Sequence, residues 1–319
     1  MLDNIVILAG GVGGAKMVQG FAELCAPERL AVIGNVADDW EFHGLWVSPD
    51  IDTVTYTLAG LIDEAKGWGV REESFRALDV LKRLGKETWM QLGDQDLGLH
   101  IYRTERRRAG ERPSLIARDI ARKLGVEVPI LLPTDDPIHT KVQTPDGWLA
   151  FQEYFVRERC SPPVYDVRFD GIESASATPE ALAALNAAEL IVIAPSNPIV
   201  SIGPILAVPG IRRAIERSKA LRVAISPIVG GRTIKGPAAD MMHTMGHDPS
   251  IAGVATLYRG LMDAFVVDER DRDAALPLMQ DGLAVWLEQT VMQSRADKQR
   301  LAERIMRRAE LALRDRGAA

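Results

Sequence analysis

Apolar residues fall into two recurring patterns along the chain. Short unbroken runs at residues 4–9, 30–34, 190–195, 221–227 and 265–268 are rich in β-branched side chains and lack polar alternation. Strands buried on both faces of a parallel sheet look like this. Between them, apolar residues return every three or four positions. Met17, Val18, Phe21 and Leu24 do so after the first run, as do residues 53–64, 72–84, 113–124, 211–218 and 296–316. That spacing predicts helices with one buried stripe. A strand, a glycine turn, a helix and a second strand in succession make a βαβ unit. Turn residues crowd 128–154 (133–137, then Pro145-Asp146-Gly147), which predicts short strands or hairpins.

The expected fold class is therefore α/β, a Rossmann-like doubly wound, mainly parallel sheet with an inserted helical and β-hairpin section. Residues 1–52 would form the first part of a nucleotide-binding core and 53–170 an insertion or cap. Residues 171–319 would form the second part, with a C-terminal helix.

Composition narrows the class. The chain has 319 residues, 47% hydrophobic and 26% charged, with a net charge of −6. These values suit a globular domain and not a basic nucleic-acid surface. Two cysteines, Cys25 and Cys160, are too few for a disulfide framework or a four-ligand zinc site and read as packed thiols. The N-terminus lacks a basic leader, and no apolar run reaches the roughly 18 residues of a membrane span. A cytoplasmic protein is expected.

Chemistry concentrates where strands end. Gly10, Gly11, Gly13 and Gly14 precede Lys16 at the first strand-to-helix junction. Backbone N–H groups at such a turn cradle anions, although the spacing matches neither the dinucleotide fingerprint nor the P-loop. Asn35, Asp38 and Asp39 follow the second strand, and Asp50 and Asp52 precede a helix. At this spacing two carboxylates can converge on Mg²⁺ or on a substrate hydroxyl, or Asp52 can simply cap the helix. Gln91, Asp94 and Asp96, with His100 behind them, suggest a further loop facing the same cleft. Ser196 and Asn197, fixed among prolines, are expected to hold a phosphate or base edge, and Lys235-Gly236-Pro237 to add a positive charge. Asp268-Glu269-Arg270-Asp271 reads more as a surface charge cluster than as a site. There is no Gly-x-Ser-x-Gly elbow and no His-Glu-x-x-His pair. A cleft with amide donors and carboxylates but few bases suits phosphoryl-type transfer.

Taken in order, Gly-Gly-Val-Gly-Gly-Ala-Lys, Asn-Val-Ala-Asp-Asp, Ser-Pro-Asp-Ile-Asp-Thr, Leu-Gly-Asp-Gln-Asp, Pro-Thr-Asp-Asp-Pro, Pro-Ser-Asn-Pro-Ile-Val-Ser-Ile-Gly-Pro and Asp-Glu-Arg-Asp resemble the 2-phospho-L-lactate transferase family of coenzyme F420 biosynthesis. The resemblance runs from Asn4 to about Asp273. It implies a homodimeric, Mg²⁺-dependent enzyme. The donor would be a guanosine diphosphate ester of a small phosphorylated acid (phospholactate, phosphoenolpyruvate or phosphoglycerate). The acceptor would be the ribityl hydroxyl of the deazaflavin Fo, and GMP would leave. It also implies that Asp52 and the position of Gln91 contact Fo. Gln91 stands where archaeal relatives often carry Lys. Beside this, the residues suggest catalytic and metal roles for Asp50 and Asp52, with Asn35, Asp38, Asp94 and Asp96 in second place. A nucleotide-binding regulatory protein without transferase activity is the alternative. Neither nucleic acid nor membrane is expected as a partner.

Overall fold

The computed structural model describes residues 2–233 and 237–318. Seven strands form the central sheet: β1 (Ile5–Ala9), β2 (Leu30–Gly34), β3 (Ile130–Leu131), β4 (Leu190–Ile193), β5 (Leu221–Ile225), β6 (Ala264–Asp268) and β7 (Ala284–Glu288). Every pairing is parallel, in the order β7-β6-β5-β4-β1-β2-β3. Ile7, Leu8, Val32, Ile33, Val192, Ile193 and Val223 are fully buried. Each such side chain contributes about 1.5–3 kcal/mol by leaving water, which is why these runs carry no polar alternation.

The helices used below are α1 (Gly11–Ala22), α2 (Pro49–Leu58), α3 (Arg76–Arg83), α4 (Asp94–Arg108), α5 (Pro113–Lys123) and α6 (Arg295–Ala318). α1 packs against both α2 and α6. A three-stranded antiparallel sheet of Gly147–Ala150, His139–Thr144 and Asp166–Asp170 stands beside the core. A hairpin pairs Trp40–Phe42 with Leu45–Val47.

The doubly wound expectation holds. The expected boundaries at 52 and 170 do not describe the architecture, because β3 lies within that stretch and pairs with β2 as the edge of the main sheet. α2 likewise begins at Pro49, before the expected boundary. The strand order reverses between β1 and β4. In open α/β sheets, ligands bind outside the carboxyl ends of the strands at such a switch point.

Candidate active site

The turns that follow β1, β2 and β4 meet at this switch point. Gly10 has extended backbone (φ −148°), and Gly11 turns into the left-handed region at φ +62°. Glycine is required at Gly10 by contact: a Cβ there would stand 2.7 Å from Ser201 Cβ and 2.9 Å from Asp50 Oδ2. At Gly13 it would stand 2.4 Å from the Pro195 carbonyl oxygen. The glycines let three strand exits touch.

Ser196 fastens them together. Its hydroxyl donates to the Gly10 carbonyl at 2.7 Å and accepts from the Gly10 N–H at 3.3 Å. Asn197 Oδ1 accepts from the N–H groups of Ile199 and Val200, capping the next turn. Both side chains thus build the loop. The Lys16 ammonium donates to the Met292 carbonyl at 2.9 Å. Lys235 and Gly236 lie outside the described residues.

Asn35 is the hub of the crevice. Its Nδ2 donates to Asp50 Oδ2 at 2.9 Å and to the Val200 carbonyl at 3.3 Å, while its Oδ1 accepts from the Ala37 N–H. The Gly11 N–H also donates to Asp50. Burial pushes the Asp50 carboxyl up to about 6 against these hydrogen bonds. Asp38 is raised well above the usual carboxylate range, first by burial and then by the charge of Asp50. Asp38 Oδ1 has no hydrogen-bond partner among the described residues. Proximity to Thr140 and Asn35 opposes part of the rise at Asp38.

Asp50 and Asp52 do not converge. Residues two apart on a helix point to different sides, and here they bind different partners. Asp52 faces inward, where the Arg103 guanidinium grips both its oxygens. Arg103 also lies 3.1 Å from His100 Nδ1. His100 is buried, and desolvation lowers it to about 4. Alongside, the Tyr56 hydroxyl donates to Asp96 at 2.5 Å, and burial raises Asp96 to about 6. Asp39, raised to about 7 by burial, accepts from Trp46 Nε1 and Ser48 Oγ, and its second oxygen has no hydrogen-bond partner among the described residues. It lines a small pocket with Ser48, Ile51, Arg103 and Arg107.

Among the remaining acids, Asp94 accepts from Ser74 Oγ and from the N–H groups of Arg76 and Ala77 at the start of α3. Glu73 returns the favour at the start of α4, accepting from Gln95 and Asp96 N–H. Asp94 therefore caps a helix and does not face the cleft. Gln91 is exposed between buried Met90 and Leu92. In the fourth acidic motif, Asp268 accepts from Thr290 and Arg270, and Asp271 from the N–H groups of Gly230 and Gly231. Both are buried loop anchors. Arg103 and Tyr56 escaped sequence reading. Arg103 sits in a charged helix run that resembles a solvated face, and nothing local pairs it with Asp52.

The metal question turns on charge. Among the described residues neither Asp38 nor Asp50 has an ion-pair partner, and no group of three or more His, Cys, Asp or Glu is placed to hold a metal by itself. Two close, buried, uncompensated carboxylates fit one Mg²⁺ that takes its other ligands from water and substrate phosphate. The expected pair Asp50 and Asp52 fits less well, because Arg103 already neutralises Asp52.

Comparison with known proteins places these motifs in context. The family model described as 2-phospho-L-lactate transferase CofD matches residues 5–309. The 2-phospho-L-lactate transferase of Methanopyrus kandleri is 40% identical, covering 96% of this chain and 98% of that protein. The phosphoenolpyruvate transferase of Mycobacterium bovis is 38% identical, covering 84% and 88%. A crystal structure of a UPF0052 family member from Bacillus halodurans superposes with a TM-score of 0.64 at 18% identity, covering 96% of this chain and 99% of that one. That likeness supports the fold alone.

Proposed function

Because the chain belongs to the 2-phospho-L-lactate transferase family, we propose that it transfers a phospho-acid in coenzyme F420 biosynthesis. The donor is the guanosine diphosphate ester of phosphoenolpyruvate, phospholactate or phosphoglycerate, and the acceptor is the ribityl hydroxyl of Fo. The hydroxyl oxygen forms a bond to the phosphorus bearing the acid while its proton passes to solvent, the bridging P–O bond to GMP breaks, and GMP leaves with that bond's electron pair. The product is F420-0 or its dehydro form.

The observation that carries this reading is the uncompensated Asp38–Asp50 pair beside the glycine turn at the switch point. Asp38 and Asp50 would hold Mg²⁺, which supplies charge neutralisation at the diphosphate. Asn35 fixes the Asp50 rotamer. The first N–H groups of α1 meet the anion. Asp52, held rigid by Arg103, and Gln91 on the exposed rim are the acceptor contacts that the family implies. No single helix among the described residues is long and apolar enough to cross a membrane. A cytoplasmic homodimer completes the proposal.

The test is purified protein with Fo, Mg²⁺ and each guanylylated acid in turn. GMP release and a deazaflavin product heavier by one phospho-acid are expected. Nucleotide bound but never consumed, with unchanged Fo, would instead identify a regulatory protein.

A further inference from the structure

The loop at residues 62–70 is fastened at both ends. Ile62 and Val70 pair across its base and pack with Tyr56. Within it, the Asp63 N–H donates to the Gly69 carbonyl at 2.9 Å, and the Gly67 N–H donates to the Asp63 carbonyl at 2.7 Å. The Asp63 carboxylate accepts from the N–H groups of Ala65 and Lys66. The apex of this loop lies on the glycine turn. Gly67 has φ +81°, and a Cβ on it would stand 2.8 Å from Val12 Cγ1. The next residue, Trp68, leaves 44% of its surface in water. Lys66 Nζ lies 5.5 Å from the Trp68 ring centroid and 3.3 Å from the Asp63 carboxylate.

An indole held out by an ordered loop, one residue from a contact with the glycine turn, keeps exposed ring surface open to a further partner beside Lys66. A planar heteroaromatic ring supplies one, because an aromatic side chain stacks on any such ring whatever its edge groups. We propose that Trp68, with Lys66 beside it, is the stacking platform for the ring of a substrate bound at the glycine turn. It is a specificity-determining residue that the family resemblance did not bring forward. The identity of the ring rests on the transferase reading: it is either the guanine of the donor or the deazaflavin of the acceptor.

The experiment uses the full chain with Trp68→Ala and Trp68→Phe, titrated separately with GDP and with Fo while tryptophan fluorescence is followed. In the wild-type protein one of the two ligands quenches the Trp68 contribution, and Trp68→Phe lacks that quench. Trp68→Ala weakens binding of that ligand by about 10- to 100-fold, raises its KM, leaves the other ligand's affinity unchanged, and is largely rescued by Phe. Quenching by GDP assigns the platform to guanine, and quenching by Fo assigns it to the deazaflavin. Unchanged affinity for both ligands in Trp68→Ala, or equal loss for both, overturns the proposal. Because binding is read without turnover, the two readings separate. Ring-selective loss with no GMP release from wild type keeps the platform and removes the transferase. Turnover with unaltered Trp68→Ala affinities does the reverse.

Discussion

The first turn of α2 supplies two acids to two regions that differ in how their charge is met. Asp50 enters the crevice with Asp38, where hydrogen bonds from Asn35 and Gly11 N–H are its partners and no salt bridge reaches it among the described residues. Asp52 enters a packed network with Arg103, His100, Tyr56 and Asp96. Both are buried to a similar degree. A buried carboxylate without a counter-charge is costly, and the folded protein relieves it by binding a proton or a cation. A buried carboxylate with a bidentate guanidinium is already compensated, and its role is to hold geometry. On the proposed function, reactive capacity would lie with the unbalanced pair and rigidity with the balanced one.

The comparison breaks most visibly at Asp52. Asp52→Ala leaves Arg103 as an unpaired buried charge, and such losses cost about 3–5 kcal/mol. Thermal or urea unfolding of Asp52→Ala should show that loss, and a double variant Asp52→Leu with Arg103→Met should recover much of it. If the single variant is as stable as wild type, the network is not balanced in the way described.

Asp50→Asn should do the opposite. It removes an uncompensated charge while keeping a hydrogen-bonding side chain, so stability is held or raised. Transfer falls by about 100- to 1,000-fold, the scale of several kcal/mol of charge stabilisation. GMP release and melting temperature measured on the same preparation check both halves. Near-normal turnover would move the chemistry away from the crevice.

The pH dependence sharpens the contrast. Asp50 is raised to about 6 in the fold, so between about pH 4 and 6 the folded state holds more protons than the unfolded one. Its contribution to stability is present below the unfolded carboxylate pKa of about 3.9 and is lost as pH rises through 6. Asp39, raised to about 7, and Asp96, raised to about 6, act in the same direction. His100, lowered to about 4, acts in the opposite direction, gaining stability as pH rises from about 4 to about 6.5. On the proposed Mg²⁺ role, the ion would have to displace the proton on Asp50. Its stabilising effect should therefore be larger at pH 7.5 than at pH 5, with apparent affinity falling up to about tenfold per unit below pH 6. Melting curves with and without MgCl₂ at the two pH values read this directly. The pH dependence should flatten in Asp50→Asn and persist in Tyr56→Phe.

Asp94→Ala should have the smallest effect. It uncaps α3, lowers the melting temperature less than Asp52→Ala does, and leaves kcat unchanged. A large loss of kcat with unaltered substrate affinities would return Asp94 to the crevice.

How far the sequence reveals the site depends on the range of the interactions. The glycine turn is legible because it lies next to β1 in the chain, and β1 shows its burial in five consecutive apolar residues. α4 was read as a loop at its start, because its first turn carries Asp94 and Asp96 and its outer face is polar. β3 is only two residues long and β7 alternates in burial, so neither stands out as a buried run. Ser196 and Asn197 were recognisable as fixed polar residues, but not as groups whose hydrogen bonds are spent on the loops themselves.

By itself, then, the sequence determined the doubly wound α/β class, the strand exits that meet at the switch point, and, through seven ordered motifs, the family. These follow from local periodicity and from residues close together in the chain. Only the tertiary structure decided which acid faces what. Asp50 is joined to Asn35 across 15 positions and Asp52 to Arg103 across 51, and whether a buried carboxylate is compensated depends on the side chain that folding brings against it.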